Sequence, residues 1–105
     1  MSGWTYLALA IASEIAATSA LKASDGMTRL VPAAISLTGY AIAFFCLSRS
    51  LQTIPLGVSY AIWSGVGIAV LTLIGVVFFR QTLGAADVIG TGLIVAGVLV
   101  LYMFR

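Results

Sequence analysis

Hydrophobic residues form four long runs along the chain, separated by short polar connections. The runs cover approximately residues 4–21, 31–48, 56–79 and 85–104. Each is close to the roughly 20 residues that span about 30 Å of hydrocarbon as an α-helix. Because the connections leave no room for a soluble domain, we predict one all-α integral membrane domain, residues 1–105, with four transmembrane helices.

The connections carry turn and helix-start signals. Residues 24–26 (SDG) favour a turn after the first helix, and Pro32 and Pro55 lie at predicted helix starts, where a missing N–H group is harmless. Asp87 lies in the first turn of the fourth helix, where it complements the helix dipole. The first run lacks the basic start and small-residue cleavage site of a signal peptide, so we expect it to be retained.

Composition narrows the possible functions. The chain is 62% hydrophobic and 8% charged, which is typical of a membrane protein. It has no histidine and a single cysteine, Cys46, so an intrachain disulfide is impossible and a Cys/His metal site is not expected. The net charge of +2 comes from scattered residues, so we expect no nucleic-acid partner, and nothing in the sequence indicates a cofactor.

The basic residues give only a weak preference for one orientation in the membrane. Four spans place Arg49 and Arg105 on one side and Lys22, Arg29 and Arg80 on the other. A difference of one positive charge provides almost no positive-inside bias. We therefore expect that the chain can insert in both orientations.

Glu14 is the only formally charged side chain well inside any of the four runs. An ionisable group at bilayer depth costs about 3 kcal/mol on insertion scales, and such groups usually serve a function. One helical face carries Glu14 together with small, hydroxylated and β-branched neighbours that leave room for a ligand. The residues of this face are Leu7, Ala10, Ile11, Glu14, Ala17, Thr18 and Leu21. The alternative is a structural ion pair with Lys22, two turns away.

Aromatic residues in the second and third runs could complete a cation site. Tyr60 and Trp63 are three residues apart and so share a helical face, and Trp63 lies too deep for an interfacial anchor. An indole ring near a carboxylate attracts an organic cation by a cation–π interaction of about 2 kcal/mol when desolvated. Tyr40 and Phe44 are candidates for a further pocket wall. The alternative for Trp63 is an aromatic side chain that fills the bundle core.

Glycine patterns predict a hinge and an interface. Gly65 and Gly67 weaken the third helix locally and could form a bend, or they could instead permit close helix packing. Four helices make a thin bundle, so we expect a second subunit. A stripe of small and apolar residues on the fourth helix is the predicted contact, although it could also pack within one chain. The stripe comprises Gly90, Leu93, Ile94 and Gly97.

Nothing in the sequence combines a nucleophile with a base and an orienting group, so we predict that the protein is not an enzyme and has no catalytic residue. Residues 55–67 (PLGVSYAIWSGVG), residues 27–30 (MTRL) and Glu14 together resemble the small multidrug resistance transporters. The resemblance covers essentially the whole chain, including its length and four spans.

The resemblance implies an antiparallel, dual-topology dimer that exchanges protons for cations across the bacterial inner membrane. It implies that Glu14 of both subunits binds proton or drug, and that Tyr60, Trp63 and Tyr40 line the pocket. It also implies a third-helix kink at Gly65 and Gly67 and a dimer contact along residues 90–97.

This chain differs from the family pattern at two positions that bear on the substrate. Guanidinium exporters of this family place a tryptophan three residues after the first-helix acid, where this chain has Ala17. The smaller side chain favours export of larger quaternary ammonium and aromatic cations. Ser59 stands where alanine is common, and we expect it to alter pocket polarity.

The leading hypothesis is a proton-coupled exporter of lipophilic cations in which proton and substrate compete for Glu14. One alternative is guanidinium export by the same kind of protein. Another is a non-transporting membrane subunit in which Glu14 serves helix packing. The functional dimer is predicted to be a homodimer, and a heterodimer remains open.

Overall fold

Four α-helices make up the described part of the chain, residues 2–104 of a computed structural model. They are α1 (Gly3–Ala23), α2 (Leu30–Ser50), α3 (Leu56–Phe78) and α4 (Ala85–Met103). All four are long and apolar enough to cross a membrane, as the sequence predicts. Their ends lie within two residues of the predicted ones, and the starts of α3 and α4 coincide with them. Arg105, which the sequence analysis placed on the side of Arg49, lies outside the described residues.

Ser24 organises the connection between α1 and α2. Its side chain is fully buried; the hydroxyl donates to the Leu21 carbonyl at 2.6 Å and accepts from the Met27 amide at 3.0 Å. The chain then turns through positive φ angles at Asp25, Gly26 and Met27 (50°, 69° and 71°). The predicted turn is confirmed, and it continues to residue 28, two residues further than expected.

A buried hydroxyl pair joins α2 to α3. Ser50 and Ser59 are both fully buried, with their Oγ atoms 2.9 Å apart. Because the Ser50 hydroxyl proton is already donated to the Leu47 carbonyl, Ser59 supplies the proton of this bond. The structure therefore places Ser59 in the α2–α3 packing and not in a pocket, in contrast to the expectation from the sequence.

Backbone hydrogen bonds shape the connection between α3 and α4. The amides of Phe79 and Gln81 both donate to the Gly75 carbonyl, at 3.2 and 3.0 Å. Arg80 adopts a positive φ of 54° between them. Asp87 accepts a hydrogen bond from the Gly84 amide at 2.9 Å, so its predicted structural role at the start of α4 is confirmed.

The helices pack as a thin slab, 41 × 34 × 16 Å overall. The most extensive contact is between α1 and α2, while α3 bridges α1 and α4. Gly39 of α2 lies directly against Ala17 of α1: a Cβ atom at position 39 would lie 2.8 Å from that of Ala17. No described residue of α4 is buried within the protomer.

A single core cluster holds the slab together at one end. It combines residues from α1, α2, α3 and the α2–α3 connection, and it includes the cysteine as a small buried apolar side chain. At the same end Trp4 and Tyr102 meet edge to face, with ring centroids 5.2 Å apart. The core cluster comprises Leu7, Ala10, Cys46, Leu47, Ile54, Val58 and Ile62.

Candidate functional site

A hydrogen-bonded chain of three side chains holds the Glu14 carboxylate. The Thr18 hydroxyl, one turn further along α1, donates to Glu14 Oε1 at 2.7 Å. Tyr40 of α2 lies on the other side, with its hydroxyl oxygen 2.6 Å from that of Thr18. Because Thr18 donates to Glu14, Tyr40 donates to Thr18 when the carboxylate is charged. Within residues 2–104 the hydrogen-bond partner of Glu14 is thus Thr18, not Lys22.

The second carboxylate oxygen of Glu14 lies against the backbone of α3 at Gly67. A Cβ atom at position 67 would be 3.0 Å from Glu14 Oε2, tighter than ordinary van der Waals contact. Glycine at this position therefore allows the carboxylate to approach α3 closely. The helix is continuous through this point. A hinge at Gly67 stays a prediction, while the contact with Glu14 gives this residue a role that the sequence analysis did not identify.

Gly65 serves close packing between α3 and α4. A Cβ atom there would overlap the Val98 side chain and would lie 3.3 Å from Ile94 Cγ2. Ile94 therefore faces α3 within the protomer. Gly90 and Gly97, by contrast, have nothing within 4 Å of an added Cβ atom, and Leu93 is 69% exposed. These three outward-facing positions remain available to a second subunit.

Four aromatic rings continue the site across α2 and α3. Trp63 meets Tyr60 and Phe44 edge to face, with centroid distances of 5.1 and 5.8 Å. Tyr40 stacks on Phe44 at 6.4 Å. The Trp63 indole nitrogen is buried and has no hydrogen-bond partner among the described residues. The structure thus brings the aromatic residues singled out in the sequence into one continuous cluster.

A cavity of about 200 Å³ lies between Glu14 and this aromatic cluster. Three of its lining residues were not predicted: Ser64, Ile68 and Leu71. Ser64 and Ile68 follow Tyr60 by four and eight residues, and Leu71 follows Trp63 by eight. Extending the face of Tyr60 and Trp63 by one or two turns would therefore have found them. The full lining is Glu14, Tyr60, Trp63, Ser64, Gly67, Ile68 and Leu71.

Most of the residues predicted to surround Glu14 on α1 lie elsewhere in the protomer. Leu7 and Ala10 are part of the core cluster, Ile11 packs against it, and Ala17 is fully buried on the side of Gly39. The helical face that carries Glu14 is wide enough that one edge packs against α2 and the core, while only the other edge faces the cavity. Their role in lining a pocket stays a prediction.

Known proteins resemble this chain in sequence over nearly its whole length. Residues 2–94 match the Small Multidrug Resistance protein family. The chain is 50% identical over 101 residues to the quaternary ammonium compound-resistance protein QacE of Escherichia coli, covering 96% of this chain and 92% of the relative. It is 48% identical to the quaternary ammonium compound-resistance protein QacF of Klebsiella aerogenes, with the same coverage. The multidrug resistance protein EbrA of Bacillus licheniformis is 41% identical, with 96% of each chain covered.

Proposed function

Because the chain belongs to the Small Multidrug Resistance protein family, whose members are multi-pass membrane transporters and not enzymes, we propose that it exchanges protons for lipophilic cations. The proposed substrates are aromatic and quaternary ammonium cations, which are exported across the bacterial inner membrane. Proton and cation compete for the Glu14 carboxylate. The names of QacE and QacF support quaternary ammonium compounds as one substrate class.

The observation that carries this proposal is the position of the Glu14 carboxylate beside Tyr60 and Trp63 in one cavity. The carboxylate supplies a counter-charge, and the aromatic rings supply faces on which a cation can rest. Neither group imposes a precise geometry on the ligand. Loose selectivity is therefore expected, since a flexible aromatic wall with a single charge specifies little about molecular shape.

Competition at Glu14 couples the two fluxes. A carboxylate that holds a proton has no charge to offer a cation, so binding of one ligand releases the other. Each proton that moves down its gradient supplies about 1.4 kcal/mol per pH unit. Each net charge that moves with the membrane potential adds about 2.3 kcal/mol per 100 mV. These free energies are sufficient to accumulate a cation on one side of the membrane.

A second subunit completes the site in this proposal. The 200 Å³ cavity is smaller than the roughly 300 Å³ at which drug-sized pockets begin, and one wall of it is open. Tyr60 is 53% exposed in the protomer and would face the second chain. An antiparallel homodimer places Glu14 of each subunit beside one shared chamber. A heterodimer with a related chain would do the same.

Ala17 supports larger cations as substrates through its effect on the packing of α1 against α2. The residue is fully buried against α2, so a tryptophan at this position would force α1 and α2 apart. A guanidinium exporter with tryptophan there would need a different arrangement of these two helices. In this chain α2 packs closely on α1, and Tyr60 and Trp63 of the aromatic cluster line the cavity.

The proposal is tested by cation-driven proton movement in reconstituted vesicles. We expect tetraphenylphosphonium to drive proton flux through the wild-type chain and Glu14→Gln to abolish it, because the amide can neither bind a proton nor neutralise a cation. Asp87→Asn is the matched control, since it makes the same acid-to-amide change in the other carboxylate that lies in a helix. Flux that persists in Glu14→Gln would contradict the proposal. Flux driven by guanidinium but not by tetraphenylphosphonium would show that the protein is a guanidinium exporter.

A further inference from the structure

A second cavity continues the Glu14 site towards the Lys22 side of the slab, defined as the side that carries the connections 24–29 and 79–84. It measures about 150 Å³ and lies between the C-terminal halves of α1 and α3. Leu71 lines both cavities. Thr18 lines the second cavity while its hydroxyl donates to Glu14 in the first. These two side chains therefore form the boundary between the cavities.

The second cavity is lined by polar side chains at three successive depths. Thr18 is nearest to Glu14, Ser19 follows, and the exposed side chains of Lys22 and Gln81 lie at the mouth. Eight residues separate Glu14 from Lys22, which corresponds to about 12 Å along the helix axis. A row of hydroxyl, amide and ammonium groups thus leads from the carboxylate to the membrane surface, with Leu71 as the apolar barrier along it.

Ser19 is the unusual member of this row, because its Oγ atom is buried and has no hydrogen-bond partner among the described residues. Two hydroxyls of α3 instead donate to the carbonyl one turn earlier, Ser64 to Tyr60 and Thr72 to Ile68. A buried hydroxyl without a partner is unfavourable, and it becomes favourable when water reaches it. Ser19 therefore favours hydration of this cleft.

Gln81 is held at the mouth by the backbone. The backbone amide of Gln81 donates to the Gly75 carbonyl at 3.0 Å. The side-chain oxygen of Gln81 occupies the space that a Cβ atom on Gly75 would need. The buried glycine thus allows the amide group to fold over the end of α3. This arrangement places a neutral hydrogen-bonding group at the opening of the cleft, which Lys22 also lines.

We propose that the cleft between α1 and α3 is a water-filled branch that carries the proton between Glu14 and the Lys22 side while a cation occupies the aromatic cavity. The inference rests on the proposed exchange function. A bound cation blocks the cavity through which it entered, so the proton that it displaces from Glu14 needs another route. The Thr18 hydroxyl is the first group on this route, and Ser19, Gln81 and water continue it after Leu71 moves aside.

Size and charge restrict the branch to water and protons. At about 30 Å³ for each water molecule, a 150 Å³ cavity has space for a short file of waters. It is too small for an aromatic cation. The Lys22 ammonium at the mouth offers an organic cation no counter-charge, whereas a proton needs none because it is passed along the hydrogen-bonded waters. Proton and substrate thus use different paths to the same carboxylate.

Proton release measured by rapid mixing with tetraphenylphosphonium tests this branch. In Ser19→Ala the hydroxyl that favours hydration is lost, and in Gln81→Leu the polar mouth is lost. For both variants we expect proton release to slow by about fivefold, the effect of one ordinary hydrogen bond, with unchanged equilibrium affinity for the cation. Ser48→Ala is the matched control, because this hydroxyl lies on the exposed surface of α2 and donates to Phe45.

The possible outcomes separate the branch from the exchange function. Wild-type rates in both Ser19→Ala and Gln81→Leu would overturn the branch while leaving proton exchange in place. Slower release with an equal loss of affinity would also overturn it, because the residues would then act on the binding site itself. A wild-type chain that binds tetraphenylphosphonium without releasing a proton would reject the exchange function, and the branch with it.

Discussion

At the scale of single residues, the site depends on how closely Glu14 approaches α3. Thr18 fixes one carboxylate oxygen through a 2.7 Å hydrogen bond, and the other oxygen rests where Gly67 has no side chain. The carboxylate is thereby held beside Tyr60 and Trp63 in one cavity. Two small features, one hydroxyl and one missing methyl group, decide where the charge lies.

This contact predicts a specific defect for Gly67→Ala. The added methyl group would lie 3.0 Å from Glu14 Oε2, so the carboxylate would have to shift by a few tenths of an ångström relative to the aromatic rings. We expect tetraphenylphosphonium affinity to fall by up to about tenfold, equivalent to about 1.4 kcal/mol, because the charge no longer lies at its native distance from the rings. Equilibrium binding to the purified protein measures this.

Gly57→Ala is the control for that experiment, since an added Cβ atom at position 57 has nothing within 4 Å. It makes the same change in the same helix, away from the carboxylate. Equal affinities for Gly67→Ala and the wild type would show that the Glu14 contact does not matter for binding. Equal losses in both variants would point to a general effect of alanine on α3.

At the scale of elements, each connection contains or adjoins local hydrogen bonds that fix how two helices meet. Ser24 satisfies the end of α1, the Ser50–Ser59 pair joins α2 to α3, and Gly75 anchors the start of the last connection. In two of these connections residues other than glycine adopt positive φ angles, a conformation that L-amino acids with side chains disfavour by about 1 kcal/mol or more. Glycine at such a position is expected to stabilise the protein.

Arg80→Gly should stabilise the protein. Arg80 has a φ of 54°, which glycine adopts without a steric penalty. We expect the free energy of unfolding to rise by up to about 1 kcal/mol, seen as a higher midpoint of thermal unfolding in detergent. Arg80→Ala removes the same charge without relieving the backbone. A midpoint for Arg80→Gly no higher than that of Arg80→Ala would contradict the role of backbone strain.

The sequence predicted the elements better than their contacts. Four spans followed from run length alone, and the Tyr60 and Trp63 pair followed from helical spacing. The positive φ at Arg80 was missed because arginine gives no signal for a left-handed conformation. Leu71 was missed because the face of Tyr60 and Trp63 was not followed two turns further along α3. Ser59 was assigned to a pocket from its place in the family motif, and its pairing was missed because its partner Ser50 lies nine residues away, across a turn.

The contacts of the glycines in α3 also could not be predicted from the sequence. A pair of glycines in a membrane helix is compatible with a bend or with close packing, and sequence spacing does not distinguish the two. Contacts outside the helix show that both glycines allow a close approach, while the hinge stays a prediction: Gly65 receives the side chains of α4, and Gly67 receives the Glu14 carboxylate. Both contacts come from residues distant in sequence, so no local pattern could have predicted them.

At the scale of the whole molecule, the protomer is a slab only 16 Å thick with a peripheral fourth helix. The described part of α4 has no buried residue and contacts mainly α3. Its Gly90 and Gly97 face away from the rest of the protomer. In lipid, exposed small residues allow another helix to approach closely, which supports α4 as the contact between subunits.

Gly97→Leu tests this contact without disturbing the protomer. Nothing lies within 4 Å of a Cβ atom at position 97, so the folded chain tolerates a larger side chain, whereas a close helix–helix contact does not. We expect a shift from dimer to monomer in sedimentation experiments in detergent, together with loss of cation binding. Gly57→Leu is the control at another open position, and an unchanged dimer in Gly97→Leu would place the subunit contact elsewhere.

The central claim is that proton and cation compete for Glu14, and equilibrium binding of tetraphenylphosphonium across pH tests it most directly. We predict that wild-type affinity falls on acidification, by up to about tenfold per pH unit for each proton displaced. Glu14→Gln should bind weakly at every pH, with no such dependence. Wild-type affinity that does not change with pH, or a pH dependence that persists in Glu14→Gln, would contradict the claim.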